Sequence, residues 1–226
     1  MKQNGTEVFA SGSTTNITEN SNGFPISIDT LLRSKQFTLD DETKMKLISD
    51  HFKQIMILLG LDLNENSLKG TPDRVAKMYL KEIFSGLDPN TKPKITLFEN
   101  NYQYKEMLVE KDIRVYSYCE HHFVPIIGKA HVAYISSGKV IGLSKINRIV
   151  HYYSKRPQVQ ERLTEQITQA LKEALQTEHV AVVINATHLC IASRGVNDTG
   201  SSTITSHYSG KFKNEETQQK FLSFLK

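Results

Sequence analysis

Both cysteines of this 226-residue chain lie beside histidines, in the segments Cys119-Glu120-His121-His122 and His188-Leu189-Cys190. The Cys-x-x-His spacing of the first segment lets a single turn present a thiolate and an imidazole to one tetrahedral metal ion. Two thiolates and one imidazole make three protein ligands and leave a fourth position for water. That arrangement is typical of catalytic zinc, which lowers the pKa of its bound water to ~7. The sequence therefore predicts a catalytic zinc site.

Spacing alone does not decide which histidine binds the metal. Cys119 and His122 fit a chelating turn, which would leave His121 available for proton transfer. On a strand, His188 and Cys190 would face the same side and bring a second imidazole near the metal. Two other interpretations remain open. The cysteines could be ordinary buried residues with histidines on the surface, or they could form a disulfide, which a reducing compartment disfavours.

Basic residues are concentrated between positions 141 and 162, a segment that contains five Lys or Arg residues and one acidic residue. Ser144, Lys145 and Arg148 lie at a predicted helix start, where backbone N–H groups and the helix dipole favour anions. Arg194 follows the second cysteine motif closely, and Gly195 after it would let the backbone turn near a ligand. We expect Lys155 and Arg156 to lie on a solvated face.

Glu161 is the single acidic residue of that basic segment, and Gln160 precedes it. Its carboxylate could simply pair with a neighbouring cation. It could equally accept two hydrogen bonds from the ring N–H and exocyclic amine of a guanine-like edge. The sequence does not choose between these roles.

The elements that must position these residues can be read from periodicity. Apolar residues recur every three or four positions in 40–59, which predicts an amphipathic helix ending at Gly60, and Thr71-Pro72 begins a second helix that ends at Gly86. Further helices are predicted from the N-cap Ser144, from Pro157 and over 214–225. Alternation predicts strands at 107–118, 129–135, 139–143, 179–187 and 202–208. This order favours an α+β fold with a mostly antiparallel sheet.

Six motifs in this order resemble the GTP cyclohydrolase I family, over roughly residues 40–226. They are Gly-Thr-Pro-Asp-Arg-Val-Ala-Lys-Met-Tyr (70–79), Cys-Glu-His-His-Phe-Val-Pro (119–125), Gly-Lys-Ala-His-Val-Ala-Tyr-Ile (128–135), Gly-Leu-Ser-Lys-Ile-Asn-Arg (142–148), Arg-Pro-Gln-Val-Gln-Glu-Arg-Leu-Thr (156–164) and His-Leu-Cys (188–190). The resemblance implies a T-fold (tunnelling-fold) subunit preceded by a helical part. It also implies a homodecamer of two pentameric rings with active sites between subunits. We accordingly expect a disordered arm at 1–27, a helical region at 28–90 and a T-fold region at 91–226.

The family converts GTP and water into 7,8-dihydroneopterin triphosphate and formate, the first step of pterin and folate biosynthesis. By resemblance, the zinc ligands are Cys119, His122 and Cys190, and the acid–base residues are His121 and His188. The guanine-binding residues are Glu161 and Gln160. The triphosphate contacts implied by the resemblance are Ser144, Lys145, Arg148, Arg194, Arg74 and Lys77.

Composition and missing motifs argue against other classes of protein. The formal net charge of +4 is too weak by itself to imply nucleic-acid binding, and a zinc-stabilised nucleic-acid module would need four closed ligands. Zinc nucleobase deaminases need His-x-Glu and Pro-Cys-x-x-Cys, and the sequence contains neither. No apolar run approaches the ~18 residues of a membrane helix, and the N-terminus lacks the apolar stretch of a secretory signal. We therefore expect a cytoplasmic enzyme with no membrane partner.

Overall fold

The structure is a computed structural model that describes residues 39–226; the predicted arm 1–27 and residues 28–38 of the predicted helical region lie outside the described residues. The helices are α1 (Asp41–Leu58), α2 (Thr71–Met78), α3 (Leu143–Ser154), α4 (Gln160–Leu175), α5 (Leu189–Ala192) and α6 (Glu215–Ser223). The strands are β1 (Leu97–Glu99), β2 (Met107–Cys119), β3 (Pro125–Ile135), β4 (Lys139–Ile141), β5 (Pro157–Gln158), β6 (Val180–His188) and β7 (Thr203–Tyr208).

Five strands form the main sheet in the order β5-β2-β3-β6-β7, and β1 pairs with β4 in a separate antiparallel ribbon. Every pairing in the main sheet is antiparallel except that of β5 with β2. The prediction of a mixed helix and sheet fold with a mostly antiparallel sheet is therefore confirmed. The register places Ile126 of β3 opposite His188 of β6, which brings the two motif-bearing strand ends together.

Alternation along the strands divides the core between the two faces of the sheet. On one face, β2, β3 and β6 bury aliphatic side chains such as Val115, Val132 and Ile184 against α3 and α4, which contribute Ile146 and Leu163. On the other face, a smaller cluster packs against the C-terminal segment; its members are Met107, Ala133, Ile135, Ala181, Val183, Phe212 and Phe221. Helices on the first face thereby fix the end of the sheet that carries Cys119.

The described segment before the sheet contains the helices α1 and α2. Asp40 caps α1 by accepting a hydrogen bond from the Thr43 N–H at 2.8 Å, and α2 continues through a wider π-helical turn, Tyr79–Ile83. This segment is attached to α3 at Gly86, where an added Cβ would lie 2.1 Å from the Tyr152 carbonyl oxygen. Only a glycine permits so close an approach.

Arg156 corrects one expectation, because it is buried rather than solvated. Its Nε donates to the Gly86 carbonyl oxygen at 2.8 Å, and its guanidinium lies over the rings of Tyr152 and Tyr153 at 4.7 and 4.8 Å. Stacking and hydrogen bonding of this kind compensate a guanidinium for its lost hydration. The charge therefore links the helical segment to the sheet layer instead of facing solvent.

Two local predictions were wrong. Gly142 rather than Ser144 precedes α3, because the chain turns into the helix directly after β4. Pro157 lies in β5, where Tyr118 and Cys119 pair with Pro157 and Gln158, so α4 begins only at Gln160. The strand predicted at 179–187 is β6, which ends at His188, and Cys190 lies beyond it in the short helix α5. Among residues 39–226, no helix is long and apolar enough to cross a membrane.

Candidate metal centre and active site

The connection between β2 and β3, residues 119–124, forms a tight loop that we call the metal loop. The Cys119 N–H donates to the Val124 carbonyl oxygen at 2.8 Å, and the Phe123 N–H donates to the Cys119 carbonyl oxygen at 2.8 Å. Phe123 adopts the left-handed conformation, with φ at 54°. This closure returns the chain into β3 and leaves His121 and His122 at the end of the sheet.

Helix α5 brings the second cysteine to the same place. Because β6 runs antiparallel to β3 and ends opposite the start of β3, the α5 helix that follows it lies beside the metal loop. The candidate ligand atoms of Cys119, His122 and Cys190 all lie within 4.8 Å of one another. In the part of the chain that the structure describes, these are the three members of the only such group.

The donor set fits zinc. Two sulfurs and one imidazole are ligands that zinc accepts in tetrahedral sites, and three protein ligands leave one position open. Both cysteines are free thiols. Burial raises the pKa of the Cys190 thiol, and the neighbouring Cys119 raises this pKa further. A metal ion would remove that penalty, since it binds the thiolate form.

His121 and His188 each lie within two residues of a candidate ligand in the chain. The His121 Nδ1 atom lies 3.7 Å from the Cys119 sulfur, and its Nε2 lies 3.7 Å from an oxygen of Glu120. His188 is partly buried, and its Nε2 lies 2.8 Å from Oε1 of Gln160. Burial lowers the pKa of His188, while the Glu161 carboxylate raises it.

The Gln160 amide is fully engaged in hydrogen bonds. Its side chain is buried, and its Nε2 lies 2.9–3.1 Å from three acceptors, the carbonyl oxygens of Ile184 and Thr203 and the hydroxyl of Thr205. Because the amide nitrogen is the donor in these contacts, Oε1 is the atom that accepts from His188. Glu161, the next residue, is exposed.

The predicted phosphate contacts lie on three elements. Arg194 follows α5, and its Nη1 lies 3.1 Å from His122 Nε2. Ser144, Lys145 and Arg148 lie in the first half of α3, and Arg148 lines a cavity of about 300 Å³. Arg74 and Lys77 lie on α2. Within residues 39–226, no hydrogen bond or ion pair joins the α2 and α3 residues to the metal-ligand group.

Comparison with known proteins shows which family the chain belongs to. The family model for GTP cyclohydrolase I matches residues 48–226. The chain belongs to the GTP cyclohydrolase I family. It is 60% identical to GTP cyclohydrolase 1 of Flavobacterium johnsoniae over 195 residues, which cover 86% of this chain and 87% of that protein. It is 53% identical to GTP cyclohydrolase 1 of Citrobacter koseri over 196 residues, 86% of this chain and 88% of that protein.

Among solved structures, the apo form of the archaeosine synthase QueF-Like covers 46% of this chain and 93% of its own. The TM-score is 0.39 and the sequence identity is 20%. This likeness is too weak to bear on the fold or function of the GTP cyclohydrolase I family member described here.

Two side chains of the metal loop, Glu120 and Phe123, had no role in the sequence-based predictions for this GTP cyclohydrolase I family member. Glu120 forms an ion pair with Arg162 of α4, and the loop residue Phe123 packs on Phe84 with ring centroids 5.1 Å apart. Glu120 lies inside the Cys-x-x-His motif, and Arg162 is one of the five basic residues between positions 141 and 162. Because 42 residues separate the ion-pair partners, no local pattern joins them.

Proposed function

We propose that this chain is a zinc-dependent GTP cyclohydrolase I that converts GTP and water into 7,8-dihydroneopterin triphosphate and formate. The observation that carries the proposal is the convergence of Cys119, His122 and Cys190 in a chain of this family. When bound, zinc lowers the pKa of a coordinated water and so supplies a nucleophile at neutral pH. Cys119, His122 and Cys190 would hold the ion, and three protein ligands would leave a fourth position for water.

His188 and His121 are the proposed proton carriers. Carbon 8 of guanine lies between two ring nitrogens and becomes electrophilic when one of them is protonated. His188 is held by Gln160 through its Nε2, so its Nδ1 is the atom that can exchange a proton with the purine. His121, whose Nδ1 lies 3.7 Å from the Cys119 sulfur, is the second proposed proton carrier and can serve the later hydrolysis that releases formate.

Glu161 is the proposed reader of the guanine edge. Its carboxylate can accept hydrogen bonds from the ring N–H and the exocyclic amine together. Its place directly after Gln160, which contacts His188, supports this role, because one purine could then contact both Glu161 and His188. Gln160, beside it, completes the proposed guanine site by holding His188 in place.

The proposed triphosphate site uses the cations around the metal group. Arg194 lies closest, next to His122. Ser144, Lys145 and Arg148 occupy the first half of α3, where the helix dipole adds to their attraction for phosphate. Arg74 and Lys77 project from α2, and we propose that they contribute to a site shared between subunits.

The proposed assembly is a homodecamer of two pentamers built from T-fold subunits. Two features support edge-to-edge assembly. Among residues 39–226, strand β7 is paired on one side only, and β2 pairs with β5 only at Tyr118 and Cys119, so both outer edges offer backbone groups to another chain. At the end of α1, Leu58 and Leu59 are 85% and 72% exposed, which suits burial in an interface. We expect this assembly in the cytoplasm, without nucleic-acid or membrane partners.

The deciding experiment incubates the pure, zinc-loaded protein with GTP and measures formate together with the fluorescent pterin that appears after oxidation. The proposal requires both products in equal amounts and their loss after chelation of zinc. Release of ammonia without formate would indicate deamination instead. Neither product at full zinc occupancy would reject the proposed activity.

A further inference from the structure

A largely buried ion pair connects the metal loop to the first turn of α4. Glu120 contacts Nη2 of Arg162 through Oε2, and the two side chains are 21% and 18% exposed. Neither residue belongs to the metal-ligand group. Exposed ion pairs contribute little, whereas removing one partner of a desolvated pair leaves an uncompensated charge. This pair therefore constrains where the two segments lie.

Arg162 is itself held by a buried amide network. Its Nε donates to Oε1 of Gln158 at 3.2 Å, and Gln158 is fully buried. The Gln158 amide nitrogen in turn donates to the Tyr153 carbonyl oxygen at 2.9 Å and to Oε1 of Gln166 at 2.8 Å. The guanidinium thus has a fixed direction, which a flexible surface arginine would lack.

The metal loop is tied to the same segment through its backbone. The Glu120 N–H donates to the Gln158 carbonyl oxygen at 3.0 Å, and Cys119 pairs with Gln158 in the parallel β2–β5 ladder. The loop and the start of α4 are consequently joined at two points, one through the backbone and one through the ion pair. Two such points fix an orientation as well as a distance.

Gln160, Glu161 and Arg162 are consecutive in the first turn of α4, and the first and last of them contact residues at the ends of different strands. Gln160 contacts His188 at the end of β6, and Arg162 contacts Glu120 beyond the end of β2. Successive residues of a helix point about 100° apart, so Glu161 points between its two anchored neighbours. The position of its carboxylate relative to the metal group follows from both anchors.

We propose that Glu120 and Arg162 are positioning residues that hold Glu161 at the distance from the metal at which the guanine edge and carbon 8 are engaged together. This inference rests on the proposed function. The substrate class it selects is a purine nucleotide that presents a ring N–H and an adjacent amine. Neither Glu120 nor Arg162 touches the substrate in this account. Both act through Glu161.

The test compares GTP with inosine triphosphate, which keeps the ring N–H and lacks the amine. In the zinc-loaded full chain, Glu120→Gln and Arg162→Gln should each lower kcat/KM for GTP by about tenfold to a hundredfold, as misplacement by about 1 Å does. Each should also reduce the preference for GTP over inosine triphosphate, while zinc stays near one per chain. Arg162→Lys, which keeps the charge, should restore part of that preference.

A double variant and a remote pair supply the controls. Glu120→Gln combined with Arg162→Gln should lose little more than either single variant, because the two residues act as a pair. Glu106→Gln, which breaks the exposed pair of Glu106 with Lys220, should change neither the rate nor the preference.

Three results would overturn the inference. One is an unchanged preference for GTP in zinc-loaded variants that are merely less stable, because the pair would then only support the fold. Another is loss of zinc from the variants, which would show that the ion pair supports metal binding instead of the position of Glu161. The third is an additive loss of kcat/KM in the double variant, which would show that Glu120 and Arg162 do not act as a pair. If Arg162→Gln does not fold, the preference for GTP over inosine triphosphate in Glu120→Gln and Arg162→Lys tests the inference. A wild-type protein that makes no formate from GTP would instead reject the proposed function.

Discussion

The Gln160 amide and the His188 imidazole are joined by a hydrogen bond, with 2.8 Å between Oε1 and Nε2. Since the Gln160 nitrogen already faces three acceptors, its oxygen must accept from His188. We therefore assign the proton of the neutral imidazole to Nε2, which leaves the Nδ1 lone pair for chemistry. Partners of this kind fix the tautomer and orientation of a working histidine.

Replacing Gln160 by Met should remove this control without removing much volume. We expect turnover to fall about tenfold to a hundredfold with zinc retained, as for other residues that orient site histidines. Stability should also fall, by about 1–3 kcal/mol, because the amide leaves buried acceptors without a partner. Steady-state kinetics, zinc content and urea unfolding measure the three effects. Gln169→Met, at an exposed position of the same helix, is the matched control, and wild-type turnover in Gln160→Met would contradict the assignment.

Loss of either cysteine should remove the metal. Cys119→Ser and Cys190→Ser should each lose most of the zinc and most of the activity together, because a hydroxyl is a poor replacement for a thiolate. Metal analysis of the purified variants, beside formate release, checks this prediction. A Cys190→Ser protein that retains one zinc per chain would reject this residue as a ligand.

The two flanking histidines should separate proton transfer from metal binding. His121→Ala and His188→Ala should keep zinc while turnover falls on the order of 10²–10⁴-fold, the usual contribution of general acid–base catalysis. Zinc content and single-turnover rates together distinguish the roles. If either variant is purified without metal, the division between ligands and proton carriers is wrong at that residue.

Purine recognition and phosphate recognition should respond to different substitutions. Glu161→Gln should weaken catalysis on GTP sharply and leave phosphate binding intact, because the amide cannot accept both guanine hydrogen bonds as the carboxylate does. Arg148→Ala should instead raise KM for GTP and shrink the advantage of GTP over guanosine. Kinetics with GTP, ATP and guanosine compare the two variants. Wild-type kinetics for Glu161→Gln would leave Glu161 as a partner of neighbouring bases.

His131 should make the stability of the fold sensitive to acid. Its Nδ1 accepts a hydrogen bond from the Asp112 N–H at 3.2 Å, and burial lowers its pKa, with Lys129 and Lys111 acting in the same direction and the Asp112 carboxylate opposing them. Because the folded pKa of His131 lies below the unfolded value of about 6.5, the unfolded chain binds more protons than the folded chain at pH values between the two. The contribution of His131 is therefore present above pH 6.5 and is lost as the pH falls towards its folded pKa.

His131→Asn provides the measurement for this effect, because the asparagine oxygen can replace the acceptor and does not titrate. Urea midpoints at pH 7.5 and 5.5 should differ less in the variant than in the wild type. Some dependence should remain, since burial also lowers the pKa of His151 and His179. An identical pH dependence in both proteins would show that His131 does not contribute.

The sequence by itself determined the features that depend on neighbouring residues. The Cys-x-x-His spacing placed Cys119 and His122 on one turn, and apolar periodicity located α1, the long strands and α6 within a few residues. These features follow from helix and strand geometry, in which the residues that meet are three or four positions apart or lie on alternate sides. The family motifs pointed to the same site residues.

Only the tertiary structure decided which distant residues meet. The antiparallel register of β3 and β6 brings Cys190 to Cys119, although Cys190 lies two residues beyond the end of β6. The short strand β5 had no signal in the sequence, and neither had the contacts of Gln160 with His188, Arg162 with Glu120 and Arg156 with Gly86, because these contacts span 28 to 70 residues. Such contacts depend on how the helices pack on the sheet, and local periodicity does not encode that packing.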